Sequence, residues 1–225
     1  MAITAQLVKE LRDMTAAGMM DCKKALVEVE GDLEKAVDWL RQKGMAKAAK
    51  KSGRATSEGL VTVAATADNM HIAMGSLLCE TDFVARGDQF QAMATRVTQV
   101  ILEKAPADAA ALEALLGEEV TQLIASVGEN MQLGKFARFS KKSANDVVGQ
   151  YVHANSKIGV LVYLTCGKAE SAAKPEVLEL AKNLAMQVAA ASPLALDAAS
   201  LDQAAVERER EVYRQKAIEE GKPAQ

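Results

Sequence analysis

The sequence predicts an α+β protein: an N-terminal three-helix module, two hairpin-plus-helix core subdomains with small antiparallel sheets, and a C-terminal coiled-coil-like helix. Three observations carry this. Residues 1–44 repeat apolar side chains only at helical i, i+3, i+4, i+7 spacing. From Glu58 the apolar runs become rich in Val, Leu and Thr and are interrupted by polar turns. After Pro193 the chain returns to a helical pattern dominated by charge. Composition agrees: 225 residues are enough to bury a core, and with 4% aromatics it must be built from Ala, Leu, Val and Met.

The first helix begins after Thr4, a good N-cap, with Leu7, Val8, Leu11 and Met14 as its stripe. The second carries Cys22, Ala25, Leu26 and Val29 and stops at Gly31. Asp32 caps the third, whose Leu33, Ala36, Val37 and Leu40 precede Gly44. Helices this short are marginal alone and must pack together. Residues 41–54 hold six basic residues, no acid and a Ser-Gly near the end, which predicts a linker.

A hairpin follows, from Glu58 to Ala67 and from His71 to Cys79, turning at Asp68-Asn69. A helix from Asp88 to Lys104 presents Phe90, Met93, Ala94, Val97 and Ile101 on one face and ends before Pro106. Two short helices near 108–116 and 118–127 and a strand at 131–140 come next. A second hairpin runs from Val147 to Ala154 and from Ile158 to Thr165, turning at Asn155-Ser156. A helix over 176–191 then turns Val177, Leu178, Ala181, Leu184, Ala185 and Val188 inward. Asn69-x-x-Ile72 and Asn155-x-x-Ile158 match, and each second strand runs into a cysteine, so an internal duplication and chance similarity both stay open. The last helix, 201–220, pairs Glu207 with Arg210 and Glu211 with Arg214 and keeps a narrow stripe through Leu201, Val206, Val212 and Tyr213.

The net charge of -3 excludes a globally basic nucleic-acid binder, though not a local basic patch. Cys22, Cys79 and Cys166 form no CxxC pair, so neither a disulfide framework nor structural zinc is expected. The N-terminus has no signal-peptide character, and no apolar run approaches the ~20 residues of a membrane span, which predicts a soluble, cytoplasmic protein. Gly128 to Lys135 has one residue too many for a phosphate loop, and Phe136 stands where magnesium binding needs Ser or Thr. No cofactor or metal site and no catalytic residue is predicted.

Three function classes remain. The basic segment 41–54 is one, as a nucleic-acid or ribosome contact, although it lacks interleaved aromatics. Cys79 with a strand histidine, His153, is a second, as a thiol enzyme. The third is a docking protein. Gly18-Met19-Met20 puts two adjacent methionines at an interhelical turn, where they fold under the module or stand out as contact surface. Thr81-Asp82-Phe83-Val84 follows a strand end, where Phe83 plugs the sheet edge or is presented as a wedge.

These last stretches carry a resemblance. Leu11-Arg-Asp-Met-Thr-Ala-Ala-Gly-Met-Met-Asp-Cys-Lys-Lys-Ala-Leu26 and Cys79-Glu-Thr-Asp-Phe-Val-Ala-Arg86 resemble the two signatures of the elongation factor Ts family, and Tyr151-Val-His153 with Ile158-Gly-Val-Leu-Val162 resembles a third family stretch. Ala16 stands where the family commonly has Gly, and Ser76 and Leu78 replace a common Glu and Asn.

The resemblance implies a guanine-nucleotide exchange factor for elongation factor Tu, acting in translation elongation without covalent chemistry. It implies Asp82 and Phe83, flanked by Thr81 and Val84, against the partner's magnesium and phosphate site, Met19 and Met20 docking on the same domain, and His153 facing the partner from the second subdomain. It also implies a ubiquitin-associated-like module with a basic linker over 1–54 and a core N-subdomain over 55–140. An incomplete core C-subdomain over 141–195 and a truncated coiled-coil arm over 196–225 follow, because longer family members continue past Gly221-Lys-Pro. The exposed stripe of that arm leaves an oligomer through it open; no membrane or direct nucleic-acid partner is expected.

Overall fold

Helix α1 (Ala5–Thr15) begins where a side chain can replace the missing backbone acceptor: Leu7 N–H donates to Thr4 Oγ1 at 3.2 Å. The structure, a computed structural model, describes residues 3–15 and 17–221; the departure at Ala16 and the residues after Gly221 lie outside the described residues. Helices α2 (Met19–Glu28) and α3 (Leu33–Ala49) complete the module around Val8, Leu11, Cys22, Ala25, Leu26 and Ala36. Gly31 takes φ 87°, a left-handed conformation that closes the α2 turn, and Asp32 caps α3 by accepting from Lys35 N–H at 3.1 Å. Met14 corrects the predicted stripe: it stands exposed, because three short helices bury only the strip nearest their shared axis.

The expected linker is also corrected. Helix α3 runs through Gly44 to Ala49, so most of 41–54 is helical. Gly44 is buried, and a Cβ there would sit 3.3 Å from Ala125 Cβ. A glycine that usually weakens a helix here lets two helix backbones approach.

Strands β1 (Glu58–Ala65), β2 (His71–Cys79) and β3 (Met131–Ser140) form an antiparallel sheet with β2 in the centre. Helix α5 (Asp88–Lys104) packs on it with every predicted face residue buried: Phe90, Met93, Ala94, Val97 and Ile101. Gly75 in β2 permits the close approach, since a Cβ would meet Ile101 Cδ1 at 2.6 Å. Ala105, at φ 48°, and Pro106 end the helix. Where two short helices were expected, a single α6 (Ala109–Val127) forms. A lone Gly117 costs about 1 kcal/mol, and burial of Leu112, Leu116, Val120 and Ile124 at i, i+4 spacing outweighs it at roughly 1.5–3 kcal/mol each.

Strands β4 (Asp146–Val152) and β5 (Gly159–Thr165) pair antiparallel, followed by α7 (Ala169–Ala172) and α8 (Pro175–Ala191). This repeats the order of hairpin, turn helix and long helix that begins at β1. The turn helix α4 (Asp82–Ala85) and α7 start 87 positions apart, as do α5 at Asp88 and α8 at Pro175, and both pairs match in length. The hairpin turns agree bond for bond. Asp68 accepts from Met70 N–H at 3.0 Å, Asn155 accepts from Lys157 N–H at 3.0 Å, and Asn69 and Ser156 take φ 53° and 54°. Asp68 therefore corresponds to Asn155, one residue off the Asn69–Asn155 match, and Cys79 corresponds to Cys166.

Helix α8 differs from expectation. Only Ala181 and Ala185 are buried along it, while Leu178 and Leu184 are exposed. Two strands cover a narrower strip of helix than three. The approach is close: a Cβ on Gly149 would meet the Ala181 carbonyl oxygen at 2.2 Å.

The chain divides into two compact units, Met1–Met186 and Gln187–Gln225. The second holds the end of α8, a 3-10 turn at Ala198–Ser200 and α9 (Gln203–Glu219). No described residue of α9 is buried, and the predicted pairs Glu207–Arg210, at 2.7 Å, and Glu211–Arg214 both form on it. No helix among the described residues is long and apolar enough to cross a membrane.

Candidate partner-binding site

Strand β2 ends at Cys79, and the chain turns at once into α4. Thr81 Oγ1 accepts from Val84 N–H at 3.4 Å, capping the turn. Ala85 is buried, and Val84 is partly buried against the same core, so these two anchor α4. Asp82 pairs with Arg86 at 2.9 Å on the solvent side. Phe83 is 84% exposed, which excludes the reading in which it plugs the sheet edge. An exposed Phe loses its transfer free energy for nothing within the chain.

The duplicated half supplies an internal comparison. At the place of Phe83, α7 carries the exposed Glu170 in a turn of the same length. The turn does not need an aromatic residue in order to fold.

Residues outside the motif hold it, and sequence reasoning missed them. Glu129 Oε1 accepts from the Thr81 hydroxyl at 2.7 Å, and its Oε2 accepts from Thr81 N–H at 3.0 Å. Asn130 N–H donates to Glu80 Oε1 at 2.6 Å, and Arg54 also reaches Glu80 at 3.4 Å. The Gly-Glu-Asn turn after α6 was the one available signal. Of the two departures before Cys79, Ser76 donates to the Lys135 carbonyl at 2.9 Å across a β-bulge, and Leu78 is half-buried.

Met19 and Met20 are the first residues of α2 rather than part of the preceding turn, and both are exposed, at 59% and 75%. They do not fold under the module. Contacts join them to the Phe83 turn: Asp21 binds Lys47 of α3 at 2.8 Å, Gly44 packs on α6, and α6 leads into Glu129.

His153 lies just past β4, not within a strand. Its N–H donates to the Ile158 carbonyl at 2.9 Å, and its Nδ1 pairs with the Tyr151 hydroxyl at 2.8 Å. The turn it opens reaches β1, where Val61 N–H donates to the Ser156 carbonyl at 2.6 Å and Lys157 pairs with Glu58 at 2.5 Å.

The thiol-enzyme and phosphate-loop readings lose their geometry. Cys79 is buried, its thiol donates to the Thr81 carbonyl at 3.2 Å, and burial together with the Glu129 charge pushes its pKa up to about 11. A thiol so disfavoured as thiolate is a poor nucleophile. Burial also pushes the Cys22 thiol up. His71 Nδ1 is occupied by Ser140 Oγ at 2.9 Å. The Gly128–Lys135 stretch caps α6 and enters β3, so it offers no loop before a helix N-terminus. In the basic segment Arg41 pairs with Glu118 at 2.6 Å, Lys43 lies 5.1 Å over the Trp39 ring, and Lys51 donates to the Gly128 carbonyl. With Lys47 bound to Asp21 and Arg54 to Glu80, the charges other than Lys43, which stacks within α3, fasten α3 and its end to α2 and the core. Among the described residues no group of three or more His, Cys, Asp or Glu could hold a metal ion.

The family described as Elongation factor TS matches residues 80–225. Elongation factor Ts of Desulfovibrio desulfuricans is 82% identical over 223 residues, covering 99% of this chain and 78% of the relative. That of Nitratidesulfovibrio vulgaris is 52% identical, covering 99% and 76%. That of Clostridium perfringens is 45% identical, covering 98% and 73%. The chain thus spans about three quarters of the length of these relatives. With the Thr81–Val84 turn inside the matched region and relatives similar along nearly all of its length, the chain belongs to the elongation factor Ts family.

Proposed function

We propose that this chain is the guanine-nucleotide exchange factor for elongation factor Tu, promoting GDP release during translation elongation in the cytoplasm. The observation that carries the reading is Phe83, exposed on a turn capped by Thr81 whose duplicate folds with Glu170 instead. Phe83 and Asp82 enter the partner beside its magnesium and phosphate site, between Thr81, which caps the turn, and Val84, which roots it. Met19 and Met20 dock on the same partner domain, and His153 is a polar contact from the second half.

The mechanism is linkage. A protein that binds the nucleotide-free partner more tightly than the nucleotide-bound one weakens nucleotide binding by the same factor. Disturbing the magnesium site removes charge neutralisation from the phosphates, and GDP leaves faster. No bond is made or broken, so the chain works without a catalytic acid, base or cofactor of its own.

Four parts serve this function: a ubiquitin-associated-like docking module over 1–54, a wedge-bearing core subdomain over 55–140, a second core subdomain over 141–195 and a helical arm over 196–225. The exposed stripe of the arm leaves an oligomer through it open, and neither membrane nor nucleic acid takes part. The test is release of fluorescently labelled GDP from elongation factor Tu. Acceleration by this chain at substoichiometric concentration is the expected result; an unchanged rate overturns the reading.

A further inference from the structure

The Phe83 turn is gripped from a distant segment in a way that its duplicate is not. Two successive residues of the turn after α6 hold two successive residues before α4. Glu129 takes both the N–H and the hydroxyl of Thr81, at 3.0 and 2.7 Å, and Asn130 N–H reaches the Glu80 carboxylate at 2.6 Å. The duplicate turn α7 begins at Lys168 with no side-chain cap and still forms a helical turn of the same length. The grip is therefore more than the turn needs for folding. Phe83, 84% exposed, has little of its own surface held by neighbours, so its direction is set by the backbone that carries it. That backbone starts at Thr81.

We propose that Glu129 is a positioning residue for Phe83, acting through Thr81. The proposal rests on the exchange-factor reading. An ionised carboxylate accepting two hydrogen bonds from one residue fixes both where that residue sits and how it is rotated. One acceptor would leave a pivot; two remove it. A wedge entering a partner must arrive in one orientation, because ordering it during binding would cost part of the energy of the contact.

The experiment is a double-mutant cycle on the full chain, read as acceleration of labelled GDP release from elongation factor Tu. Glu129→Ala should lower the acceleration roughly tenfold, the scale of losing hydrogen bonds to a charged group. Glu129→Gln should restore most of it, because the amide still accepts from Thr81 N–H and can donate to the Thr81 hydroxyl. On a Phe83→Ala background, Glu129→Ala should cost clearly less than on the wild type, leaving only what it takes from Asp82 in the same turn. An equal loss on both backgrounds overturns the proposal, since a general structural defect does not depend on Phe83. So does wild-type activity in Glu129→Ala. Failure of that variant to fold likewise overturns it, because the duplicate turn shows that folding does not need the grip, and Glu129→Gln still reports on the geometry. A wild-type chain that does not accelerate release overturns the exchange-factor reading and this proposal with it, which is distinct from failure of a variant alone.

Discussion

Gly44 of α3 faces Ala125 of α6 so closely that a Cβ on the glycine would sit 3.3 Å from the Ala125 Cβ. Through this contact the three-helix module, whose α2 carries both Met19 and Met20, reaches the helix that leads into Glu129 and, through it, the Phe83 turn.

Gly44→Leu should push α3 off α6. Overpacking of this kind costs about 1–3 kcal/mol. The module's own core, built on Leu11, Leu26 and Ala36, lies elsewhere and should survive. We expect faster proteolysis near residues 50–54 and weaker exchange, with little loss of helical circular dichroism. Unchanged cleavage kinetics would show that the helices tolerate the added volume.

Phe83→Ala and Phe90→Ala should separate function from stability. Phe83 is exposed and Phe90 is 1% exposed in the core. The first change should alter stability by no more than about 0.5 kcal/mol, as for an ordinary surface position, and slow GDP release strongly. The second should cost about 3–5 kcal/mol. Denaturant titration of both variants checks the contrast, and a large loss for Phe83→Ala would return that side chain to the core.

Changing Met19 and Met20 together to Ala should weaken the complex with elongation factor Tu while leaving helix content intact, because both side chains point to solvent at the start of α2. Titration calorimetry decides it, and equal affinity would sink the docking role.

Asp146 ties the second hairpin to acid stability. Its carboxylate accepts from the Thr165 hydroxyl at 2.8 Å and from the N–H groups of Lys142 and Ser143, each at 2.8 Å. The Thr165 hydroxyl first, then the neighbouring Tyr163 hydroxyl and the two N–H groups, hold its pKa well below the usual carboxylate range. A folded-state pKa depressed in this way contributes stability that is full above the unfolded value of about 4 and is lost as pH falls toward the folded one. Asp146→Asn should therefore lower the melting temperature at neutral pH and flatten its decline below about pH 4. Parallel melting curves for the two proteins over that range would rule out this role.

Helix α9 has no buried residue among those described and is held by i, i+3 pairs such as Glu207–Arg210, each contributing a few tenths of a kcal/mol. A free helix of this length is marginal in water. Amide hydrogens over 203–219 should exchange within seconds in dilute solution while those of α5 stay protected. Strong protection of α9 in a monomer would contradict this.

Local patterns were legible in the sequence because local physics decides them. Thr4, Thr81 and Asp32 cap helices from within their own segments, the buried face of α5 follows from its periodicity, and both hairpins turn at their polar residues. The Phe83 motif was visible as a sequence, with two readings open. Tertiary structure decided what depends on a distant neighbour. Gly44 and Gly117 look like helix ends, and both lie inside helices, since α3 has Ala125 to pack against and α6 has a core to fill. Leu178 and Leu184 match a buried pattern but face water, because β4 and β5 cover only a strip of α8. Glu129 stands 48 residues from Thr81, and its Gly-Glu-Asn setting marks a turn but not which residue the carboxylate will hold. Periodicity reports which side chains can share a face, whereas burial, ion pairing and grip depend on what the rest of the chain brings to that face.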